Sequence, residues 1–421
     1  MKVNYFNKQY YIYYQIADTD SDRRIITFEG NIRTVDENDE KYDKYLKIPL
    51  KYLNDEKYKK FKVKTCDDVL KEYLKDYKKW IYSAKLNKFY SIDFTRGEVN
   101  AGQQTFFGLV KNYKQNEMIT AKEYSWFEKC ANNALYYLKK DNIELECTSY
   151  DRKMCYANIL GSKIKIPIKK GKEYNLKRLP KIENMKYGFY RVKITSDDPE
   201  IYKCFVFSKA NVYVDISLKF VLEHQKQFNI KIELIMDDKP NAYLYDDVDM
   251  VELDTMTSEW LAKATLLKEK YKSNPLMKFI ASGTWGIIQQ KRKLEYTIDE
   301  INENELDVGI SDDCKYKIVE RKQKKGIDYY VLVKTDNAYC YNIRLKPFVT
   351  AQARYDMGTL AIQFLPHVFR VQTDSISFNK PIEFNDPNYA LEAKTTGLIH
   401  WKNVNSYHNK TTGYKSKNYD K

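Results

Sequence analysis

Histidines are scarce in this sequence, its cysteines are scattered, and long apolar runs are absent. The 421 residues include 4 His and 7 Cys, and no two cysteines form the C-x-x-C pair that a zinc motif needs. We therefore expect free thiols in a reducing compartment. No stretch approaches the roughly 20 apolar residues of a membrane span, and the start, MKVNYFNKQYYIYY, is unlike an aliphatic secretory signal. These absences favour an intracellular protein.

The charge balance is strongly basic. Lys and Arg total 72 against 58 Asp and Glu, which leaves a formal net charge of +14. Such an excess favours a polyanionic partner, and charge alone fits either nucleic acid or an anionic membrane surface. With 43% hydrophobic residues, the chain is also long enough to fill more than one core.

The hydrophobic spacing changes along the chain and predicts an α+β fold. Residues 1 to about 90 alternate short aromatic strands with charged connections and include one helix-like segment at 67–84. Paired strands are predicted over 186–216 and short strands over 295–345. The other predicted helices are 119–144 with Thr120 before its first turn, 216–230, 254–293 with a break at Pro275, and 348–365.

Three short segments occur in a fixed order along this pattern. They are YDRKMCY at 150–156, KFIASGTWG at 278–286 and VQTDSISF at 371–378. Each is weak by itself, and the third is common at turns because Asp and Ser favour turns through local hydrogen bonds. Their order, and the strands and helices predicted between them, make the set informative.

Together the segments resemble motifs A, B and C of family-B DNA polymerases, most of all the protein-primed enzymes of phages and viruses. The resemblance covers about residues 120–380. Asp151 and Tyr156 match the aspartate and tyrosine of the first motif, Asp-x-x-Ser-Leu-Tyr-Pro. Thr373-Asp374-Ser375 matches most of the third, Asp-Thr-Asp-Ser, although Gln372 replaces its first aspartate.

The second motif of the family is Lys-x-x-x-Asn-Ser-x-Tyr-Gly. Here Lys278 and Gly286 keep its ends, Trp285 stands at the tyrosine position, and Ser282 and Gly283 take the Asn-Ser places. The resemblance implies that Lys278 faces the triphosphate of an incoming nucleotide. It also implies nucleotide-binding roles for Tyr156, Trp285 and Ser282, with the Tyr156 ring beneath the sugar. A tryptophan is equally well explained as a core residue.

The resemblance implies a polymerase palm, which is an antiparallel sheet with flanking helices, together with helical fingers and a small α+β N-terminal module. The expected ranges are 1–90 for that module, 91–150 for a helical lead-in, 151–212 for palm with motif A, 213–294 for fingers with motif B, 295–385 for palm with motif C, and 386–421 for a basic tail that forms a rudimentary thumb.

Asp151 and Asp374 are implied to be the catalytic residues and the metal ligands. Two carboxylates at such a short distance repel each other unless cations lie between them. Two Mg²⁺ ions are therefore expected, with Mn²⁺ as the alternative. The residues implied to contact DNA are Thr373, Ser375, Gly286 and, from the family's Lys-x-Tyr motif, Lys417 and Tyr419.

The implied function is template-directed DNA synthesis from deoxynucleoside triphosphates, in the host cytoplasm or at a viral replication site. The expected partners are template and primer DNA, the nucleotide, and a protein primer or a replication accessory protein, with no membrane partner. The proofreading motif Asp-x-Glu has Thr95 at its glutamate position, so we expect no exonuclease. Gln372 keeps two alternatives open: a catalytically inactive nucleic-acid-binding protein, or a structural protein of a virus.

Overall fold

A computed structural model describes residues 12–15, 23–26, 32–35, 46–47 and 98–420, apart from 112–115, 131–132, 271–278, 310–313, 325, 337 and 342. The chain divides into two compact units, Met1–Thr105 with Asn274–Ile280, and Phe106–Ser273 with Ala281–Lys421. Lys278 and the predicted helix over 67–84 lie outside the described residues.

The first unit contains a four-stranded sheet. Its strands are β1 (Ile12–Gln15), β2 (Arg23–Ile26), β3 (Ile32–Val35) and β4 (Leu46–Lys47). The spatial order is β3-β2-β1-β4, with β4 parallel to β1 and the other pairs antiparallel. Short strands are therefore present in the N-terminal region, as its alternation predicts.

A seven-stranded antiparallel sheet is the largest sheet of the second unit. It consists of β5 (Tyr136–Leu138), β6 (Ile143–Arg152), β18 (Val368–Gln372), β19 (Ser375–Phe378), β20 (Tyr389–Leu391), β21 (Gly397–Asn403) and β22 (Ser406–Asn409). The order is β22-β21-β6-β19-β18-β5, and β20 also pairs with β6. Segments distant in the sequence thus meet at β6, and three of the strands come from residues expected to form a basic tail.

Three smaller sheets complete the second unit. The first contains β8 (Lys172–Tyr174), β9 (Gly188–Ser196), β10 (Val212–Val214), β11 (Ile230–Leu234) and β12 (Ala242–Leu244). The second pairs β7 (Lys165–Pro167) with β13 (Met250–Glu252). The third, in the order β14-β17-β16-β15, contains β14 (Lys293–Tyr296), β15 (Val308–Gly309), β16 (Tyr316–Lys324) and β17 (Ile327–Lys334).

The helices of the described residues follow the predicted periodicity only in part. They are α1 (Glu98–Leu109), α2 (Ala121–Lys129), α3 (Cys155–Leu160), α4 (Asp215–Glu223), α5 (Leu253–Lys270), α6 (Thr284–Ile288), α7 (Ile298–Glu303) and α8 (Lys346–Gln363), with one π-helical turn at Phe279–Gly283. None of the helices described is long and apolar enough to cross a membrane.

The helix predicted over 119–144 is present only in its first part. Thr120 is its N-cap and accepts a hydrogen bond from the Glu123 amide, as the sequence predicts. The helix ends at Lys129, and the prediction that it continues is wrong, because the following residues form β5 and the start of β6. The predicted helix over 216–230 is also shorter than predicted, because it ends at Glu223 and turns precede β11, which begins at Ile230. In the first case strand pairing overrides the local helical spacing.

Alternation along the strands sorts side chains to the two faces of the seven-stranded sheet. Val371, Ile376 and Phe378 face a core that also contains residues of α4, α8 and β9. Neighbouring positions on the same strands, Ser375 and Ser377, therefore face the opposite side. The helix α8 agrees with the predicted 348–365, and the hairpin predicted at 371–378 is present as β18 and β19.

Candidate active site

Strand pairing brings Asp151 and Asp374 together. Asp151 lies near the end of β6, directly opposite Ser375 at the start of β19. Asp374 immediately precedes Ser375 in the turn between β18 and β19, and its carbonyl oxygen accepts a hydrogen bond of 2.8 Å from the Arg152 amide. Both aspartates are half-buried, Asp151 near the end of a strand and Asp374 in the turn that leads into the neighbouring strand.

The hairpin turn that carries Asp374 has an unusual backbone. Thr373 has φ of 59°, in the left-handed region that a β-branched residue rarely adopts. Its amide donates a hydrogen bond of 2.9 Å to the carbonyl oxygen of Leu135, and its hydroxyl contacts the Tyr136 hydroxyl at 3.3 Å. Leu135, just before β5, and Tyr136, its first residue, thus hold the turn through contacts from outside the hairpin. A strained residue beside a cluster of acids is typical of a functional site.

A network of hydroxyl groups supports the same face of the sheet. Ser149, two residues before Asp151, is fully buried, and its hydroxyl lies 2.7 Å from the Ser377 hydroxyl and donates to the Thr395 carbonyl at 2.6 Å. Ser375 is 8% exposed, and its hydroxyl has no hydrogen-bond partner among the residues described. An unsatisfied hydroxyl next to Asp151 is suited to a ligand that brings its own hydrogen-bonding atoms.

The electrostatics of Asp151 are set first by burial and then by neighbouring charges. Burial, Asp374 and Glu392 together raise the pKa of Asp151 from 3.8 to about 7, while Lys268 of α5 and Lys394 lower it. Ala390 of β20 is directly opposite Asp151, so Glu392, two residues on, lies on the same face. A partly buried carboxyl group with two acidic neighbours favours either a proton or a bound cation.

Sequence reasoning did not identify Glu392. Its position depends on the antiparallel pairing of β20 with β6 and on a hydrogen bond of 2.8 Å from its amide to the Ser149 carbonyl oxygen. The only sequence signal was an acidic residue soon after a short alternating segment, in a region expected to be a tail.

Asp151 and Asp374 fit a hard divalent cation. The described part of the chain contains no group of three or more His, Cys, Asp or Glu arranged to hold a metal ion. The donor set is therefore two carboxylates whose repulsion a cation would relieve, and oxygen ligands with few protein contacts suit Mg²⁺, which retains several waters. Mg²⁺ and Mn²⁺ are both compatible with this chemistry.

Tyr156 and Trp285, from the first and second motifs, meet in the structure. Their rings are stacked with centroids 4.9 Å apart and an interplanar angle of 7°. The chain leaves β6 through Met154, whose φ of 50° allows α3 to start at Cys155, one residue before Tyr156. Burial and the nearby Asp374 raise the pKa of Tyr156 far above its usual value, so the phenol is neutral. The pair forms a flat aromatic surface near the carboxylates.

Other predicted site residues lie in less informative places. The side chain of Ser282 is not among those described, and Gly286 is exposed. Lys417 is also exposed, whereas the Tyr419 hydroxyl lies 2.7 Å from His400 Nδ1. His400 pairs with Glu144, which is seven residues, or roughly 23 Å, along β6 from Asp151. Contact of Lys417 and Tyr419 with DNA remains a prediction.

The fold is similar to that of solved polymerase structures. No family model matches the chain, and no curated protein matches it. Phi29 DNA polymerase complexed with single-stranded DNA aligns at 12% identity and a TM-score of 0.50, over 78% of this chain and 57% of that one. Phi29 DNA polymerase complexed with primer-template DNA aligns at 13% identity and a TM-score of 0.50, over 81% of this chain and 57% of that one.

These alignments define the class of fold. The chain is a mixed α/β protein with curled antiparallel sheets and a polymerase-like fold distantly similar to that of phi29 DNA polymerase. It spans less than two thirds of the length of the polymerase chains it matches. The division into palm, fingers and N-terminal module remains a prediction.

Proposed function

We propose that this chain is a DNA-directed DNA polymerase that transfers nucleotidyl groups to a primer 3′-hydroxyl. The observations that support the proposal are the register of β6 and β19, which pairs Asp151 with Ser375, the residue after Asp374, and the electrostatic effect of Asp374 on Asp151. The polymerase-like fold and the net charge of +14 support it, because a basic surface suits the phosphates of template and primer DNA.

Asp151 and Asp374 would hold two Mg²⁺ ions, which supply charge neutralisation to the attacking and leaving oxygens. Both aspartates act as anions, so Asp151 must lose the proton that burial, Asp374 and Glu392 favour. Lys268 and Lys394 favour the ionised form of Asp151. Lys278 is proposed to face the triphosphate, with Ser282 also in the nucleotide site.

Primer extension with Mg²⁺ and deoxynucleotides tests the assignment. Asp374→Asn should lower extension at least about a thousandfold, because an amide cannot replace the ligand charge and a lost metal interaction is worth several kcal/mol. The exposed Asp328 allows a matched control, and Asp328→Asn should leave extension unchanged. Equal extension by wild type and Asp374→Asn would reject the assignment. DNA binding without extension under either metal would favour the inactive binding protein.

Tyr156 is proposed to exclude ribonucleotides by occupying the space that a 2′-hydroxyl needs. A clash of this kind is typically worth ~1–3 kcal/mol, so Tyr156→Ala should reduce discrimination by about tenfold or more, and Tyr156→Val by less. Trp285→Ala provides the control for loss of the aromatic stack, since it leaves the Tyr156 phenol in place. If Tyr156→Ala lowers ribo- and deoxynucleotide incorporation equally, the ring has only a packing role.

The chain is further proposed to lack proofreading, on the basis of the missing Asp-x-Glu motif. A primer with a mismatched 3′ end should remain intact when incubated with the purified protein and Mg²⁺. If a metal-dependent activity that shortens the primer co-purifies with this polypeptide, the proposal is contradicted. A protein primer or an accessory protein remains a proposed partner.

A further inference from the structure

Gln372, which replaces the first aspartate of the third motif, has a specific partner. Its half-buried side chain is hydrogen-bonded to the side chain of Asn405. Asn405 and Val404 form the two-residue loop of the C-terminal hairpin, which we define as β21 and β22, Gly397–Asn409. The amide at position 372 therefore joins the strand that leads to Asp374 to a separate hairpin.

Arg370, two residues earlier on the same strand, contacts the same loop. It is 1% exposed, and its Nε donates a hydrogen bond of 2.9 Å to the Val404 carbonyl oxygen. Its guanidinium lies over the rings of Trp401 and Tyr407, with centroid distances of 4.8 and 5.7 Å. Arg370 Nη1 has no hydrogen-bond partner in the described part of the chain, so much of its stabilisation comes from these aromatic faces.

The far end of the C-terminal hairpin holds the segment that carries Glu392. Asn409 is fully buried, and its Nδ2 donates hydrogen bonds to the carbonyl oxygens of Ala393, Lys394 and Thr396 at 3.1, 3.2 and 2.8 Å. Glu392 and Lys394, the charged residues of this segment, act on Asp151 in opposite directions. The hairpin thus bridges the Asp374 strand and the charged neighbours of Asp151.

We propose that Gln372 and Arg370 are positioning residues that fix the C-terminal hairpin and thereby hold Glu392 and Lys394 beside Asp151. Position 372 serves as an anchor for the hairpin in this chain and not as a metal ligand. The effect on catalysis rests on the proposed polymerase function, whereas the anchoring itself does not depend on it.

Backbone hydrogen exchange of residues 397–409 in the full chain tests the anchoring. Gln372→Ala and Asn405→Ala should each speed exchange by about fivefold, since each removes one hydrogen bond of about 1 kcal/mol. The double variant should exchange no faster than the faster single variant, because both changes break the same contact. Unchanged exchange, or effects that multiply in the double variant, would overturn the proposal.

Primer extension then tests whether the anchor matters for catalysis. Gln372→Asp restores the carboxylate of the family motif but is one methylene too short to reach Asn405, so kcat should fall severalfold and hairpin exchange should rise. Gln372→Glu keeps the length and should retain most of the exchange protection, because Asn405 can turn its amide to donate. Gln323→Asp, on an exposed strand glutamine, is the matched control and should change neither measurement.

The two proposals fail in different ways. If wild type does not extend primers but Gln372→Ala loosens the hairpin, the anchor stands and the polymerase assignment falls. If Asp374→Asn abolishes extension while Gln372→Asp leaves exchange unchanged or raises kcat, the anchor is overturned and the polymerase assignment stands.

Discussion

Glu123 and Asp151 are both carboxylates removed from bulk water, and their surroundings are opposite. Glu123 is fully buried, and its two oxygens accept hydrogen bonds from Arg344 Nε at 2.7 Å and Nη2 at 3.0 Å. The Tyr245 hydroxyl donates a further hydrogen bond of 2.7 Å. Asp151 is near Asp374 and Glu392 and has a raised pKa of about 7.

The comparison separates a structural charge from a functional one. Arg344 is also fully buried, and its Nη1 donates to the carbonyl oxygens of Glu117 and Ile168, so the Glu123–Arg344 pair is complete within the protein. The negative charge around Asp151 is not balanced in the same way, because the charged neighbours of Asp151 include two further acids, Asp374 and Glu392. An arrangement that costs stability is explained if a ligand completes it.

Breaking the complete pair should give the largest change in stability. Arg344→Met leaves the Glu123 carboxylate buried without its cation, so the free energy of unfolding should fall by about 3–5 kcal/mol, measured by urea denaturation. The double variant Glu123→Gln/Arg344→Met should recover part of this loss. Arg321→Met, at an exposed arginine, is the control and should change stability little. A similar small loss for Arg344→Met would show that the pair is not a structural charge.

Asp215 shares features of both carboxylates, since it is buried beside a cation like Glu123 and has a raised pKa like Asp151. The pH dependence of stability therefore tests the comparison. Asp215 is fully buried, accepts hydrogen bonds from Lys219 and the Gly188 amide, and has a pKa that burial raises from 3.8 to about 6. Tyr187 and Tyr190 also face it, and both are neutral over this range. Because the folded-state pKa is raised, the stabilising contribution of Asp215 is complete below about pH 4 and is lost as the pH rises through about 6.

Asp215→Asn cannot titrate in this range, so its stability relative to wild type should increase with pH. The difference in the free energy of unfolding should grow by about 2–3 kcal/mol between roughly pH 4.5 and 7.5. Urea denaturation at several pH values measures it. Lys219→Met removes the cation bonded to Asp215 and should raise the pKa of Asp215 further, so the loss of stability of that variant should continue to higher pH than in wild type. A difference that stays constant with pH would mean that Asp215 keeps an ordinary pKa.

Relieving the repulsion around Asp151 should give the smallest change. In EDTA at pH 8, Asp151→Asn should raise the free energy of unfolding by about 1 kcal/mol, since a neutral amide no longer repels Asp374 and Glu392. Mg²⁺ should stabilise wild type by binding the folded state and should have little effect on Asp151→Asn. Thermal melting with and without Mg²⁺ measures both effects. If Asp151→Asn is less stable than wild type in EDTA, Asp151 has a structural role like that of Glu123.

Sequence reasoning located the parts of the site that depend on local pattern. The alternation in VQTDSISF is present as the β18–β19 hairpin, and the periodicity over 348–365 is present as α8. Tyr156 and Trp285 were singled out from separate motifs, and the structure stacks them. Short-range spacing sufficed for these elements because a helix or hairpin is formed from residues that are close in the sequence.

The sequence did not indicate Glu392, the Asn405 partner of Gln372 or the strands β20 to β22. Each depends on pairing between distant segments, as with the hydrogen bond of 3.1 Å from the Ser149 amide to the Thr396 hydroxyl, whose residues are 247 positions apart. Strand register across such a distance is set by the packing of the whole sheet, and a shift of one residue would turn every side chain to the other face.

By itself, the sequence determined the basic charge, the Thr120 cap, the alternation of the hairpin and the order of the three motifs. Only the tertiary structure decided which charges became neighbours: Arg344 beside Glu123, and further acids beside Asp151. The physical reason is that charge interactions fall off with distance in space and not along the chain, so the same residue type is a structural anchor in one environment and a candidate ligand in another.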